Sequence, residues 1–349
     1  MQLEKRFHEI IDKAQNYASL TKEECIYLLN FEETSLEASI LRAVADNLSR
    51  KKAENSGVIL GQIGVEVSEC TGNCKFCVFG KEHTQLPTHR ASDEELALKA
   101  QEFAGYGDLY GLFLMTMHSY DLDVILNAVE IVKKNIPDHT QIWVNIGDSN
   151  VDTFEELRRA GVKGAYHVNR LREGIDTDLN PNARRSTMEA VVSAGLDLYT
   201  CCEPIGPEHT PEEIVENFFI GIEIGCFQHA AMRRVAVPGV PLSKYGQITE
   251  LRLAQIVAVI TLATLNTKSM RYMSVHEPNQ VGLLSGANVI TAESGANPRD
   301  TNIDTSKGRG FSMANCRKML FEAGFTSLRR GDESIIPLNL DYLKKTNSI

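Results

Sequence analysis

No run of eighteen apolar residues occurs anywhere in the 349-residue chain, so no transmembrane helix is expected. The opening stretch, Met1 to His8, lacks the apolar core of a secretion signal. Basic charge is not in excess: 36 Lys and Arg against 46 Asp and Glu give a net charge of −10. That balance argues against a nucleic-acid partner, which would ask for a basic face. Low-complexity tracts, long linkers and obvious repeats are missing as well. So is a second Cys-x2-Cys pair, which speaks against an ordinary zinc site. What is left is a composition ordinary for a globular protein, 43% hydrophobic and 23% charged. The expected compartment is a reducing cytoplasm, where eight cysteines stay as thiols or metal ligands.

Three of those cysteines are crowded together, in the run Cys70-Thr-Gly-Asn-Cys74-Lys-Phe76-Cys77. A disulfide between neighbours here would close a very small, strained loop. Inert buried cysteines have no reason to cluster. An iron–sulfur cubane takes up to four thiolates. Three from this run would leave one iron free to bind something else.

Around this run the chain is organised simply. Residues 1 to about 55 read as helices, and Thr21-Lys-Glu-Glu24 has the form of a capping box. Short apolar runs then alternate with amphipathic segments. Strands are expected near Ile59–Val67, Leu109–Thr116, Gln141–Ile146, Ala165–Asn169, Asp197–Cys202, Ala230–Val237, Ser269–Val275 and Ala287–Thr291. Helices are expected over Asp93–Ala104, Asp121–Asn135, Thr153–Ala160, Arg184–Ala194, Pro211–Ile224, Thr249–Leu265 and, briefly, Pro278–Ser285, with Asn315–Ala323 closing. Eight strands with helices between them predict the α/β class, a (β/α)8 TIM-type barrel over 58–326. An N-terminal helical extension, 1–57, would pack on it, and a polar tail would follow over 327–349. The cysteine run comes directly after the first strand. That is the C-terminal face of such a barrel, where its chemistry sits.

The C-x3-C-x2-C spacing with an aromatic before the last cysteine resembles the signature of radical S-adenosylmethionine enzymes. Further segments resemble the biotin synthase branch, which includes a hydrogenase maturase and methylornithine synthase. They are Gly61 to Cys70, Arg90 to Leu96, Val237-Pro-Gly-Val-Pro-Leu242 and Ser285-Gly-Ala-Asn-Val-Ile290. The likeness covers roughly Leu20 to Thr326. It implies that Cys70, Cys74 and Cys77 hold a [4Fe–4S] cluster and that S-adenosylmethionine binds the open iron. Phe76 would lie near the adenine. Arg184, eleven residues before Gly195, would pair with the methionine carboxylate, with Arg185 as the fallback. Where many relatives carry a Gly-Gly-Glu-like turn, this chain has Met115, Thr116 and Met117; Thr116 or a backbone carbonyl would receive the amino group instead. His167 and Asn169 would share one strand face and meet ribose or substrate if that face is inward. Cys201 and Cys202 are read as small buried residues in preference to cavity or metal ligands. Arg233 or Arg234 would point inward and suit a carboxylate-bearing substrate. Tyr272, His276 and Glu277 complete the polar candidates.

The implied reaction is one-electron cleavage of S-adenosylmethionine to a 5′-deoxyadenosyl radical that takes hydrogen from a small-molecule substrate. The electron would come from a donor such as flavodoxin or ferredoxin. Two alternatives stay open. One is biotin synthase-type sulfur insertion with an atypical auxiliary cluster, since Tyr199 and Tyr272 occupy two positions where the common type has cysteines. The other is a non-catalytic iron–sulfur scaffold or electron carrier.

Overall fold

The computed structural model describes residues 3–84, 86–277, 279–294 and 311–349. The expected helical start Pro278 and the barrel stretch 295–310 lie outside the described residues. Three helices open the chain: α1 (Lys5–Gln15), α2 (Lys22–Leu29) and α3 (Leu36–Lys52). The Thr21/Glu24 capping box is present and starts α2. Phe7, Leu28 and Leu41 are among the apolar side chains these helices bury.

Eight parallel strands follow, each feeding a helix packed outside. They are β1 (Ser56–Gly64), β2 (Gly111–Met115), β3 (Gln141–Asn145), β4 (Val162–Tyr166), β5 (Asp197–Ile205), β6 (Gln228–Arg233), β7 (Met273–His276) and β8 (Val289–Ser294). The intervening helices are α4 (Asp93–Ala104), α5 (Leu122–Asn135), α6 (Val151–Ala160), α7 (Pro181–Ser193), α8 (Pro211–Ile224), α9 (Glu250–Ala263) and α10 (Gln280–Leu283), with α11 (Met313–Glu322) after β8. Pairing of β1 with both β2 and β8 closes the barrel. Sequence cues set several boundaries. Ser92/Glu95 and Thr210/Glu213 are capping boxes, and Pro211 sits in the first turn of α8.

Strand four departs from expectation. Gly161, left-handed at φ 114, ends α6 at once, so β4 begins at Val162 and stops at Tyr166. His167 and Asn169 therefore lie beyond the strand, and no strand alternation relates them. The interior of the barrel is filled, with Leu60, Phe113, Trp143, Tyr199 and Tyr272 packed together.

The tail is ordered. Strand β9 (Ser327–Arg329) adds to the N-terminal end of β1, and β10 (Ile335–Pro337) pairs antiparallel with it. In the turn between them Glu333 accepts hydrogen bonds from Tyr110 Oη (3.0 Å) and Tyr272 Oη (2.7 Å) at the floor of the barrel. Helix α12 (Leu340–Lys345) is tied down by Tyr342 Oη, which donates to Asp108 at 2.9 Å, and by the buried Leu343.

Candidate functional site

Beyond β1 the chain forms a small ribbon, Glu66–Val67 against His89–Arg90, and the cysteine run loops out between the two. The loop is folded on itself. Cys70 N–H donates to Phe79 O (2.8 Å), Asn73 N–H to Cys70 O (3.1 Å) and Cys77 N–H to Cys74 O (3.0 Å). Asn73 takes a left-handed φ of 46, a conformation asparagine tolerates. The loop is also stitched to the segment after β4: Lys75 N–H donates to Asp176 O, and Asp178 N–H to Gly72 O, both at 2.9 Å. Cys74 is buried, Cys70 and Cys77 are half-buried, and all three are free.

All three cysteines and Phe76 line one cavity at the C-terminal strand ends. Burial pushes the Cys74 thiol up to about 12 and moves Cys77 the same way. A bound cation would reverse that and hold them as thiolates. Among the described residues no three His, Cys, Asp or Glu side chains gather as the ligands of one ion. A cluster places each thiolate on a different iron, and three free cysteines of one loop facing one cavity match that ligand number. The donor set therefore fits a [4Fe–4S] cluster with an open iron.

Against the loop, a charged wall rises from the ends of β3, β4 and β5. Arg184, buried at the start of α7, donates from Nε to Val168 O (3.0 Å) and from Nη1 to Asp148 Oδ1 (2.9 Å). Burial lowers its pKa, and the neighbouring Arg170 adds to that. Asp148 is also bonded to His167 Nε2 at 3.0 Å and lies 4.0 Å from His118 Nε2. Burial alone would raise this carboxyl. The His167 bond and the Arg184 charge prevail and hold it at about 2. Burial then leaves His167 neutral, at about 3, helped by the Arg184 charge. Gly147, just past β3, lets the chain run close against His118: a Cβ there would meet His118 O at 1.7 Å. Deeper in, Tyr166 Oη donates to Glu203 Oε2 and Tyr199 Oη is bonded to His276 Nε2, both at 2.5 Å.

The expected site residues separate into two groups. Cys70, Cys74, Cys77, Phe76, Thr116, Arg184 and His276 line the cavity, as do Met115 and Met117. Thr116 donates its hydroxyl to Met117 O at 3.1 Å. The others do not line it. Asn169 donates to Pro181 O at 2.8 Å, and its own carbonyl accepts from Asn217, so it ties β4 to α7 and α8. Arg185 pairs with Glu189 and Glu223 outside. The inward arginine expected on β6 is absent. Arg233 pairs with Glu277 and Glu250, Arg234 pairs with Glu208, and Met232 faces the cavity instead. Tyr272 lies at the barrel floor. Cys201 packs inside the barrel with Tyr199, while Cys202 contacts Ile214 O of α8. The two point to opposite faces of β5, so they cannot ligate one centre together. Asp148, Glu203 and His118 line or border the site without having been marked by any local motif.

No family model matches the chain. It is 27% identical to biotin synthase of Aquifex aeolicus (strain VF5) over 172 residues, 47% of this chain and 51% of that protein. It thus spans about half the length of that relative. To biotin synthase of Streptococcus agalactiae serotype III (strain NEM316) it is 21% identical over 255 residues, 69% of this chain and 74% of the other. Solved structures share its fold, among them two matched over nine-tenths of this chain or more. HydG, a maturase of the [FeFe]-hydrogenase, superposes with a TM-score of 0.76 at 18% identity over 93% of this chain and 76% of that one. Methylornithine synthase (PylB) gives 0.76 at 16% over 90% and 96%. The fold and the cysteine loop define a TIM-type barrel that resembles those of radical S-adenosylmethionine enzymes. Within that class the chain resembles the biotin synthase-like branch.

Proposed function

We propose that this chain is a radical S-adenosylmethionine enzyme acting on a small molecule enclosed in its barrel. One observation carries the reading: three free cysteines of a single loop open onto the cavity that the charged ends of β3 to β5 also face. Cys70, Cys74 and Cys77 would hold the [4Fe–4S] cluster. When bound, cluster and S-adenosylmethionine together supply a 5′-deoxyadenosyl radical, given one electron from a donor such as flavodoxin or ferredoxin. Phe76, beside Cys77, offers a flat apolar face for the adenine. Thr116 and the carbonyls beside it offer acceptors for the amino group. Arg184 and Arg170 place two guanidinium groups on this wall, balanced by Asp148, Glu173 and Glu203, and Asp148 fixes Arg184 in place. Tyr166, Tyr199, Phe113 and Met232 close the floor and exclude water from a reactive substrate. The hydrogen taken from that substrate lets it rearrange, fragment or accept a group. Cys201 and Cys202, facing apart, weigh against an auxiliary sulfur-donating cluster built on both.

The test is anaerobic reconstitution with iron and sulfide, then dithionite and S-adenosylmethionine, with 5′-deoxyadenosine measured beside Cys74→Ala. Product from the wild type alone is expected. A well-formed cluster that gives no product and no spectral change with S-adenosylmethionine would instead favour an iron–sulfur scaffold.

A further inference from the structure

Most polar groups in the depth of the cavity already satisfy one another. Tyr166 Oη donates to Glu203 Oε2, Arg170 pairs with the other Glu203 oxygen, and Tyr199 Oη is bonded to His276 Nε2. The wall made by β1 and β8 is different. These strands pair in parallel, with Leu60 beside Thr291 and Gln62 beside Glu293. Alternation puts all four on one face. Leu60 packs with the interior aromatics, so that face is inward. Gln62, Thr291 and Glu293 line the cavity. Thr291 is only 4% exposed, and its hydroxyl has no hydrogen-bond partner among the described residues. The Gln62 amide makes no hydrogen bond among them either. Arg170 and Arg184 are the only lysine or arginine side chains among the described residues that line the cavity, and both follow β4. Strands β1 and β8 bring no cation to their wall, and Glu293 brings a carboxylate.

A buried hydroxyl without a partner is costly unless a ligand meets it. Hydroxyl and carboxamide each donate and accept, so the group that meets both fully does the same. A carboxylate only accepts and would face Glu293. An ammonium only donates and would leave the Gln62 N–H groups unmet. Phe113, Tyr199 and Met232 offer the rest of the ligand apolar surface. We propose that Gln62 and Thr291 seat the deep end of the substrate, and that this end is an uncharged hydroxyl or carboxamide on an otherwise apolar body. The inference rests on the reading of the cavity as a substrate chamber given above. It replaces the carboxylate-bearing substrate expected from β6, whose arginines are paired elsewhere.

Four probes with one chain length test it at pH 7: hexan-1-ol, hexanamide, hexanoate and hexylamine. Each is titrated calorimetrically into the anaerobically reconstituted protein before S-adenosylmethionine is added. The two neutral probes should bind at least about tenfold more tightly than either charged one, since a charged end leaves buried groups unmet. Thr291→Val keeps the side-chain shape and removes the hydroxyl; Gln62→Leu removes the amide. Each should weaken the neutral probes about two- to tenfold and leave the charged ones within about twofold. Without any probe, Thr291→Val should melt no lower than the wild type, because its hydroxyl has no partner to lose. A lower melting temperature would show that the protein itself uses the hydroxyl and would overturn the proposal. Tightest binding of hexanoate or hexylamine overturns it, as do neutral probes that neither substitution weakens, or equal weakening of all four. So does absence of binding by every probe to a protein that still binds S-adenosylmethionine. A reconstituted protein that binds no S-adenosylmethionine would remove the cofactor reading and this inference with it, a result distinct from the others.

Discussion

His167 sits wholly inside the protein with one strong partner, Asp148, and its chemistry sets a pH window. Its pKa falls from an ordinary 6.5 to about 3. The unfolded chain therefore takes up this proton between pH 6.5 and 3 while the native state does not. Stability from His167 is complete above that window and is lost as pH falls through it. Asp148 itself starts to titrate only below 3.8. Burial also depresses His118, His209 and His229, so their contributions carry the same sign. In thermal unfolding between pH 7 and 5, wild type should lose stability on acidification and His167→Gln should lose less; identical slopes would refute the buried neutral state. At this scale the sequence announced only what a local motif can. Cys70, Cys74, Cys77 and Phe76 share one loop. Asp148, Arg170 and Glu203 stand at three different strand ends, and only the parallel pairing of β3, β4 and β5 brings them together. The inward arginine expected on β6 failed because the strand ends there, and carboxylates of neighbouring elements claim both candidates.

Elements were more legible than residues. Capping boxes at Thr21, Ser92 and Thr210 start helices where the sequence says. Strand four was misplaced because its first residues, Val162-Lys-Gly, look like a loop, and only the left-handed turn at Gly161 reveals that the strand starts at once. The tail was underestimated. Read as polar, it hides Leu338 and Leu343 in a packed face. It is also held by Asp108, fully buried, which accepts from Arg317 Nε (2.5 Å) and Nη2 (3.0 Å) and from Tyr342 Oη. Such long-range partners leave no periodic trace. Asp108→Asn strands a buried guanidinium, and denaturant unfolding should show a loss of about 3–5 kcal/mol. A change below about 1 kcal/mol, as for an exposed pair, would show that the tail is not anchored there.

For the molecule as a whole, the barrel and the position of the cysteine loop at its C-terminal face were readable from alternating patterns and one motif, because both are repeated or local features. A cluster that binds only the folded loop must also stabilise the whole fold by mass action. Anaerobic reconstitution should raise the melting temperature of the wild type, and chelation of the iron should reverse the rise. Cys74→Ala should show no such shift; an equal shift would place the iron elsewhere. The opposite end of the barrel has its own consequence. Packed aromatics fill the interior, and the tail turn closes its floor with Glu333 between Tyr110 and Tyr272. Among the described residues the cavity is therefore closed at the end away from the cysteine loop. On the proposed reading, a substrate seated in the depth beside Tyr199 and His276 would arrive before the cofactor at the cysteine loop and leave after it, so the expected kinetics are ordered, with substrate first.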